Sequence, residues 1–154
     1  MITRHHHTSL FVTDLDRSIA FYCDVLGFEL LNAERARGGA FMDQVCNHPG
    51  TAHDLALVRL GDFVIELIVP VSPPGLPSDA NPLDHGIARI GFEVEGIEAT
   101  VEALRAKGVE FMSPVATLPT EGVKHYAGGK AVFFRDPDGI ILELQEPATR
   151  GAVT

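Results

Sequence analysis

Apolar and polar residues follow the same pattern in two stretches of the chain, residues 7–31 and residues 89–111. Each stretch begins with apolar and polar residues in alternation, which is typical of a half-buried strand. Apolar residues then recur at spacings of three and four up to a glycine, as in an amphipathic helix with a left-handed C-cap. Val12 matches Val94, 82 positions later. The pattern therefore predicts a strand, a turn, a helix and the start of another strand, present twice.

A hairpin follows each of these stretches. Residues 55–69 predict two strands joined at Gly61, and residues 130–146 predict two strands joined at a type I turn over 136–139. Each half of the chain is therefore expected to be a βαβββ module. Five prolines in residues 70–86 predict a linker between the modules that is neither a central strand nor a helix.

These elements predict an α+β fold, built as one domain over residues 1–154. Module 1 is expected at about 4–69 and module 2 at about 87–147, with a frayed tail at 148–154. The two modules would form a curved mixed sheet, with helices on one face and a concave metal or ligand site on the other. The irregular residues 41–54 leave two alternatives open: a lid or pocket wall, and a plain loop.

Composition and charge narrow the classes of partner. The chain has 154 residues, 45% of them hydrophobic, so its core needs no disulfide. No apolar run approaches the length of about 18 residues that a membrane span needs, and the N-terminus shows no secretory signal. The net charge is −9 with scattered bases, which argues against nucleic acid and anionic membranes as partners. We therefore expect a cytoplasmic protein with no nucleic-acid or membrane partner.

Two glutamates depart from the apolar pattern of the strands that contain them. Glu66 lies in VIEL and Glu143 in ILEL, at the same place in the two modules. Burying a carboxylate costs free energy unless the group is paired or bound to a metal. The occurrence of a glutamate at the same strand position in both modules therefore points to a shared role. His7 and Arg89 are also equivalent, 82 positions apart. The repeat therefore predicts a quartet of His7, Glu66, Arg89 and Glu143.

With these motifs the sequence resembles the vicinal-oxygen-chelate superfamily, which includes glyoxalase I, methylmalonyl-CoA epimerase, extradiol dioxygenases, and fosfomycin and bleomycin resistance proteins. The matching stretches, which cover nearly the whole chain, are HTSLFVTDLDRSIAFYCDVLGFELL, VIEL, IGFEVEGIEATVEALRAKGVEF and RDPDGIILEL. The resemblance implies a divalent metal ion, bound by side chains from the first and fourth strands of each module. On this chain it implies His7, Glu66 and Glu143 as ligands, a set that suits Zn, Ni, Mn or Fe.

One ligand position departs from the family. Arg89 stands where glyoxalase I and the epimerases usually carry a histidine, and a guanidinium does not bind metals. Three arrangements stay open. The three remaining ligands and water hold the metal, or Arg89 replaces the metal by neutralising both glutamates. In the third, His85 substitutes, although four residues of strand place it about 13 Å away.

The resemblance implies a glyoxalase-like isomerase, epimerase or lyase that acts on a small carbonyl- or carboxylate-bearing substrate through a metal-stabilised enediolate. Glu143 or Glu66 would accept the proton that the substrate loses. Arg89 would steady an enolate or bind a substrate carboxylate. Phe11, on the same strand face as His7, and His125, in the expected pocket wall, are further candidate substrate contacts; a polar loop is the alternative for His125.

Two other functions stay open. The first is a metal-free ligand-binding protein of the bleomycin-resistance kind, whose acidic surface would suit a basic ligand. The second is an extradiol dioxygenase, which fits the residues worst because its iron site needs a second histidine where Arg89 stands. The resemblance also implies a homodimer. The sequence leaves open whether the site forms within one chain or across two.

Overall fold

The chain folds into two units, each with one four-stranded mixed sheet. The computed structural model describes residues 1–76, 85–86, 88–119 and 128–148. The units are Met1–Asp79 and Ala80–Thr154. Each has the element order of a βαβββ module, which confirms the predicted α+β class. Within the described part of the chain, no helix combines the length and the apolar character that crossing a membrane requires.

Unit 1 is a sheet with a helical layer on one face. Its elements are β1 (Thr8–Phe11), α1 (Leu15–Ala20), a π-helical segment (Phe21–Val25), β2 (Glu29–Gly38), α2 (Ala40–Val45), β3 (Ala52–Leu60) and β4 (Phe63–Ser72). The strand order is β1-β4-β3-β2. Strand β1 is parallel to β4, whereas β3 is antiparallel to both β4 and β2.

Helix α1 begins at an aspartate cap. The Asp14 carboxylate accepts a hydrogen bond from the Arg17 N–H at 3.0 Å, which satisfies one of the free donors of the first turn. A π-helical segment follows α1. Leu15, Ser18 and Tyr22 are buried across the two, at the spacings of three and four that one helical face requires, whereas Cys23 is only half-buried. Burial of each large apolar side chain stabilises the unit by roughly 1.5–3 kcal/mol.

Two expectations for unit 1 were wrong in detail. Residues 41–54 are not irregular throughout, because Ala40–Val45 is helical and β3 begins at Ala52. Strand β4 continues to Ser72, past the expected start of the linker at residue 70. Pro70, which has no N–H to donate, pairs with His53 next to a register shift, and this irregularity lets the ladder continue.

Unit 2 repeats the arrangement with a shorter outer strand. Its elements are β5 (Ile90–Glu93), α3 (Ile97–Ala106), β6 (Ala116–Thr117), β7 (Lys130–Arg135) and β8 (Ile141–Glu146). The strand order is β5-β8-β7-β6, with β5 parallel to β8. The apolar residues of α3 at helical spacing, Ile97, Val101 and Leu104, are buried, as are Leu142 and Leu144 of β8.

The turn between β7 and β8 has the predicted geometry. The Gly139 N–H donates to the Asp136 carbonyl at 3.0 Å, which closes the four-residue turn. The buried Asp136 carboxylate also accepts from the N–H groups of Asp138 and Ile140, at 2.9 and 2.8 Å. This turn sets the register of the hairpin, in which Phe133 lies opposite Glu143.

Candidate functional site

The first cluster of polar residues lies on unit 1, where β1 and β4 run side by side. Their parallel register places Ser9 opposite Glu66. Because side chains alternate between the faces of a strand, His7, Ser9 and Glu66 share one face, and Leu10, Ile65 and Leu67 pack in the core on the other. We call His7, Ser9 and Glu66 the Glu66 cluster.

One oxygen of the Glu66 carboxylate carries both contacts of this cluster. The Ser9 hydroxyl donates to Glu66 Oε2 at 2.8 Å, and His7 Nε2 lies 3.4 Å from the same oxygen. The Glu66 side chain is 22% exposed and that of His7 is 38% exposed. Glu66 Oε1 has no partner among the residues that the structure describes. The cluster therefore presents an imidazole and a carboxylate oxygen side by side, with access for a ligand.

The second cluster lies at the equivalent place on unit 2, between β5 and β8. Gly91 is opposite Glu143 in the parallel register. Arg89 Nε donates to Glu143 Oε2 at 3.0 Å, and the Arg89 guanidinium carbon lies 4.5 Å from the centre of the Phe133 ring. The Glu143 side chain is 14% exposed and that of Arg89 is 53% exposed. We call Arg89, Phe133 and Glu143 the Glu143 cluster.

The two clusters differ at both repeat positions that face the carboxylate. Ser9, which donates to Glu66, corresponds to Gly91, which has no side chain to donate. His7 corresponds to Arg89, so that a permanent cation neutralises Glu143, whereas Glu66 has a neutral hydroxyl and an imidazole. The Glu66 cluster therefore resembles half of a metal site, and the Glu143 cluster resembles an anion-binding cation held in place by a carboxylate.

The Glu66 cluster fits a divalent ion by its donor chemistry, because one imidazole nitrogen and one carboxylate oxygen are common ligands of Zn, Ni, Mn and Fe. In the described ranges, no group of three or more His, Cys, Asp or Glu side chains is gathered in a way that could hold a metal. Arg89 cannot be a ligand. Within the same ranges, no hydrogen bond or ion pair joins His85 to Glu143.

The remaining predicted contacts have different outcomes. Phe11 lies on the same face of β1 as the Glu66 cluster and is 66% exposed, so its ring is accessible to a ligand. His125 lies outside the described residues. Sequence reasoning missed Ser9 and Phe133 as members of the clusters. Two signals predict them. Ser9 is two residues from His7 on one strand face. A type I turn over 136–139 that ends in a left-handed glycine pairs Asp136 with Ile140, and this register places Phe133 opposite Glu143.

Known proteins resemble this chain over nearly its whole length. A family model described as the Glyoxalase/Bleomycin resistance protein/Dioxygenase superfamily matches residues 4–144. The uncharacterized protein YaeR of Escherichia coli is 36% identical, over 92% of this chain and 94% of its own. The lactoylglutathione lyase of Haemophilus influenzae is 34% identical, over 91% and 90%. The 2-epi-5-epi-valiolone epimerase of an Actinomyces species is 31% identical, over 90% and 76%.

Solved structures share the fold. A glyoxalase family protein from Bacillus cereus superposes with a TM-score of 0.79 at 22% identity, covering 97% of both chains. The fosfomycin resistance protein FosX of Listeria monocytogenes, in a complex with Mn(II) and sulfate, has a TM-score of 0.63 at 16% identity and covers 100% of both chains. At these identities the likeness concerns the fold alone.

Proposed function

The chain belongs to the Glyoxalase/Bleomycin resistance protein/Dioxygenase superfamily, and from this we propose that it is a metal-dependent isomerase, epimerase or lyase. Its substrate would be a small oxygenated molecule that loses a proton from the carbon next to a carbonyl. The observation that carries the proposal is the Glu66 cluster, in which an imidazole and a carboxylate with one free oxygen lie 3.4 Å apart. Relatives named as a lyase and as an epimerase support the reaction class.

The proposed metal ligands are His7 and Glu66 of unit 1 and Glu143 of unit 2, with water completing the coordination. The three are not gathered into one group in the described part of the structure, so the proposal takes them from their equivalent places in the two modules. Glu66 and Glu143 each use Oε2 for contacts within their own cluster and leave Oε1 without a partner among the described residues. A bound divalent ion would act as a Lewis acid on the substrate oxygens beside the carbon that is deprotonated. FosX, in its complex with Mn(II), is a family precedent for a divalent ion.

The chain's own side chains would perform the proton transfer. Either Glu66 or Glu143 would accept the substrate proton at its Oε1 atom, because a carboxylate within hydrogen-bond reach of an activated C–H can act as the general base. Ser9 would keep Glu66 in one orientation through the Oε2 hydrogen bond. Arg89, Phe11 and His125 are the proposed substrate contacts.

Solvent-proton exchange tests this proposal. The protein is loaded with Zn, Ni, Mn or Fe(II) and incubated in D₂O with a panel of 2-hydroxy and 2-oxo acids, aldehydes and thiohemiacetals, and deuterium incorporation is followed by proton NMR. We expect exchange at the carbon next to the carbonyl of at least one compound. Glu66→Gln and Glu143→Gln should each reduce the rate by about 10²-fold or more.

The matched control is Glu102→Gln, which removes an exposed carboxylate of α3 whose partner in the described part of the chain is Arg105. It should leave exchange unchanged. A variant that loses both exchange and metal supplies a ligand, as proposed. A variant that loses exchange but keeps its metal supplies the base alone and removes that carboxylate from the proposed ligand set. Equal rates in wild type, Glu66→Gln and Glu143→Gln would refute the assignment of these carboxylates.

A second candidate function is supported by the Arg89–Glu143 ion pair. A cation 3.0 Å from Glu143 can take the place of a metal ion in balancing that charge, as a metal-free binding protein of the bleomycin-resistance kind would require. Such a protein would bind a ligand tightly without exchanging its protons. Tight binding with no exchange for any metal would favour this function over the enzyme.

The cytoplasmic location and the homodimeric state stay predictions. Sedimentation equilibrium on the wild-type chain measures the oligomeric state directly, and a homodimer would have a mass of twice 16.6 kDa. A monomer at all concentrations would contradict it.

A further inference from the structure

The Arg89 side chain is held from two sides. Its Nε atom donates to Glu143 Oε2 at 3.0 Å, and its guanidinium lies 4.5 Å above the ring of Phe133. A cation over an aromatic face is attracted to the ring quadrupole. The two contacts restrict a side chain that would otherwise lose much rotamer entropy on binding a ligand. Arg89 is therefore preorganised, although it is 53% exposed.

The Nη1 and Nη2 end of the Arg89 guanidinium is available to a ligand. Glu143 contacts the group through Nε alone. The Nη1 and Nη2 atoms form the opposite edge, and neither has a partner among the described residues. Gly91, opposite Glu143 on the neighbouring strand, adds no side chain to cover this edge. Two parallel N–H donors on a fixed cation match the two oxygens of a planar anion.

We propose that the Nη edge of Arg89 is a carboxylate receptor, with Glu143 and Phe133 as its positioning residues, so that the substrate carries a free carboxylate. This inference rests on the proposed function, because it names the substrate class of that site. A carboxylate coplanar with the guanidinium can pair with both N–H groups. A tetrahedral phosphate would direct further oxygens out of that plane, on one side toward the negative face of the Phe133 ring.

Ligand-observed NMR titration tests the receptor in chelator-treated protein. The probes are two matched pairs, lactate with lactamide and succinate with succinamide, with inorganic phosphate as a third class of anion. We expect the wild type to bind at least one carboxylate about tenfold more tightly than its amide, and more tightly than phosphate. Arg89→Met should remove this preference. Arg89→Lys should keep less than half of the wild-type preference, measured as the logarithm of the affinity ratio, because an ammonium lacks the two coplanar N–H groups of a guanidinium.

The matched control is Arg59→Met, since Arg59 is also an exposed arginine, 45% accessible, with a carboxylate partner in Glu29. It should keep the wild-type preference. Equal binding of carboxylates and amides, tighter binding of phosphate, no binding of any probe, or an unchanged preference in Arg89→Met would overturn the proposal. Elemental analysis of the same variants separates the two proposals, because a protein that prefers carboxylates without binding metal keeps this inference and loses the proposed enzyme.

Discussion

The ion pair between Arg89 and Glu143 gives the sharpest quantitative prediction. A double-mutant cycle with Arg89→Met, Glu143→Gln and the double variant isolates the energy of the pair. At the observed separation of 3.0 Å, two unit charges attract by about 1.4 kcal/mol in bulk water and about 5.5 kcal/mol at an effective dielectric constant near 20. Because Arg89 is 53% exposed, solvent screening keeps the coupling near the lower value.

The single variants should not be equal. Arg89→Met leaves a carboxylate that is 14% exposed without its cation, and we expect a loss of about 2 kcal/mol in the free energy of unfolding. Glu143→Gln keeps the shape and an oxygen that still accepts from Arg89 Nε, so the expected loss is about 0.5 to 1 kcal/mol. The double variant should lose about 1 kcal/mol less than the sum of the two.

Urea unfolding at pH 7 in the presence of a chelator measures all four proteins. Raising the salt from 20 mM to 1 M should reduce the coupling by about half, because screening acts on exposed charges. The comparison cycle is Arg59→Met with Glu29→Gln, whose side chains are 45% and 63% exposed, with an expected coupling of about 0.3 kcal/mol. A coupling at Arg89–Glu143 no larger than in this exposed pair would refute the positioning of Arg89.

Three further predictions concern individual residues. Ser9→Ala should weaken metal binding about tenfold in a competition titration with a chelating dye, because Glu66 loses the hydroxyl donor that orients its carboxylate. Ser9→Thr, which keeps a hydroxyl, should keep most of the affinity. Equal affinity in the two variants would contradict this role of Ser9. Gly27→Ala should lower the free energy of unfolding by about 1 kcal/mol, because Gly27 has φ of +85°, a conformation that is strained for a residue with a Cβ. A Cβ at this position would meet nothing within 4 Å, so backbone strain is the whole of the expected cost. An unchanged urea midpoint would count against this prediction. The hydrogen bond from the Ala36 N–H, with Arg35 adding to it, lowers the pKa of Asp54 below its usual 3.8. The ionised Asp54 carboxylate therefore stabilises the fold above pH 4, and this stabilisation is lost as the pH falls through the lowered pKa. The difference in unfolding free energy between wild type and Asp54→Asn should shrink on acidification. A constant difference from pH 7 to pH 2 would contradict the stabilising role of the Asp54 carboxylate.

Much of the fold could be predicted from the chain because local and repeated signals agree. The strand faces of β1 and β4, the Asp14 cap and the turn after β7 all follow from residues close in sequence. Burial of Tyr22 follows from the helical spacing of apolar residues, whereas the π-helical form of Phe21–Val25 could not be predicted, because that spacing does not distinguish it from an α-helix. The helix at Ala40–Val45 was also missed, because six residues are too few to show a helical period.

The candidate site was predictable to a different degree in its two parts. The repeat identifies Glu66 and Glu143 because the same exception to apolar patterning occurs twice. The contact of Ser9 with Glu66 depends on the parallel register of two strands that are far apart in sequence, whereas the pairing of Phe133 with Glu143 depends on the turn of a local hairpin. Propensity and periodicity carry no information on such pairings unless the hairpin turn fixes the register.

Metal content tests the central claim most directly. Untagged wild-type protein and the variants His7→Ala and His5→Ala are incubated with Zn, Ni, Mn and Fe(II), freed of unbound metal, and measured by elemental analysis. We predict about one ion per chain in the wild type and in His5→Ala, and its loss in His7→Ala, because the His7 imidazole is a proposed ligand beside Glu66. No bound metal in the wild type, or equal metal in His7→Ala, would contradict the account and favour the metal-free binding protein.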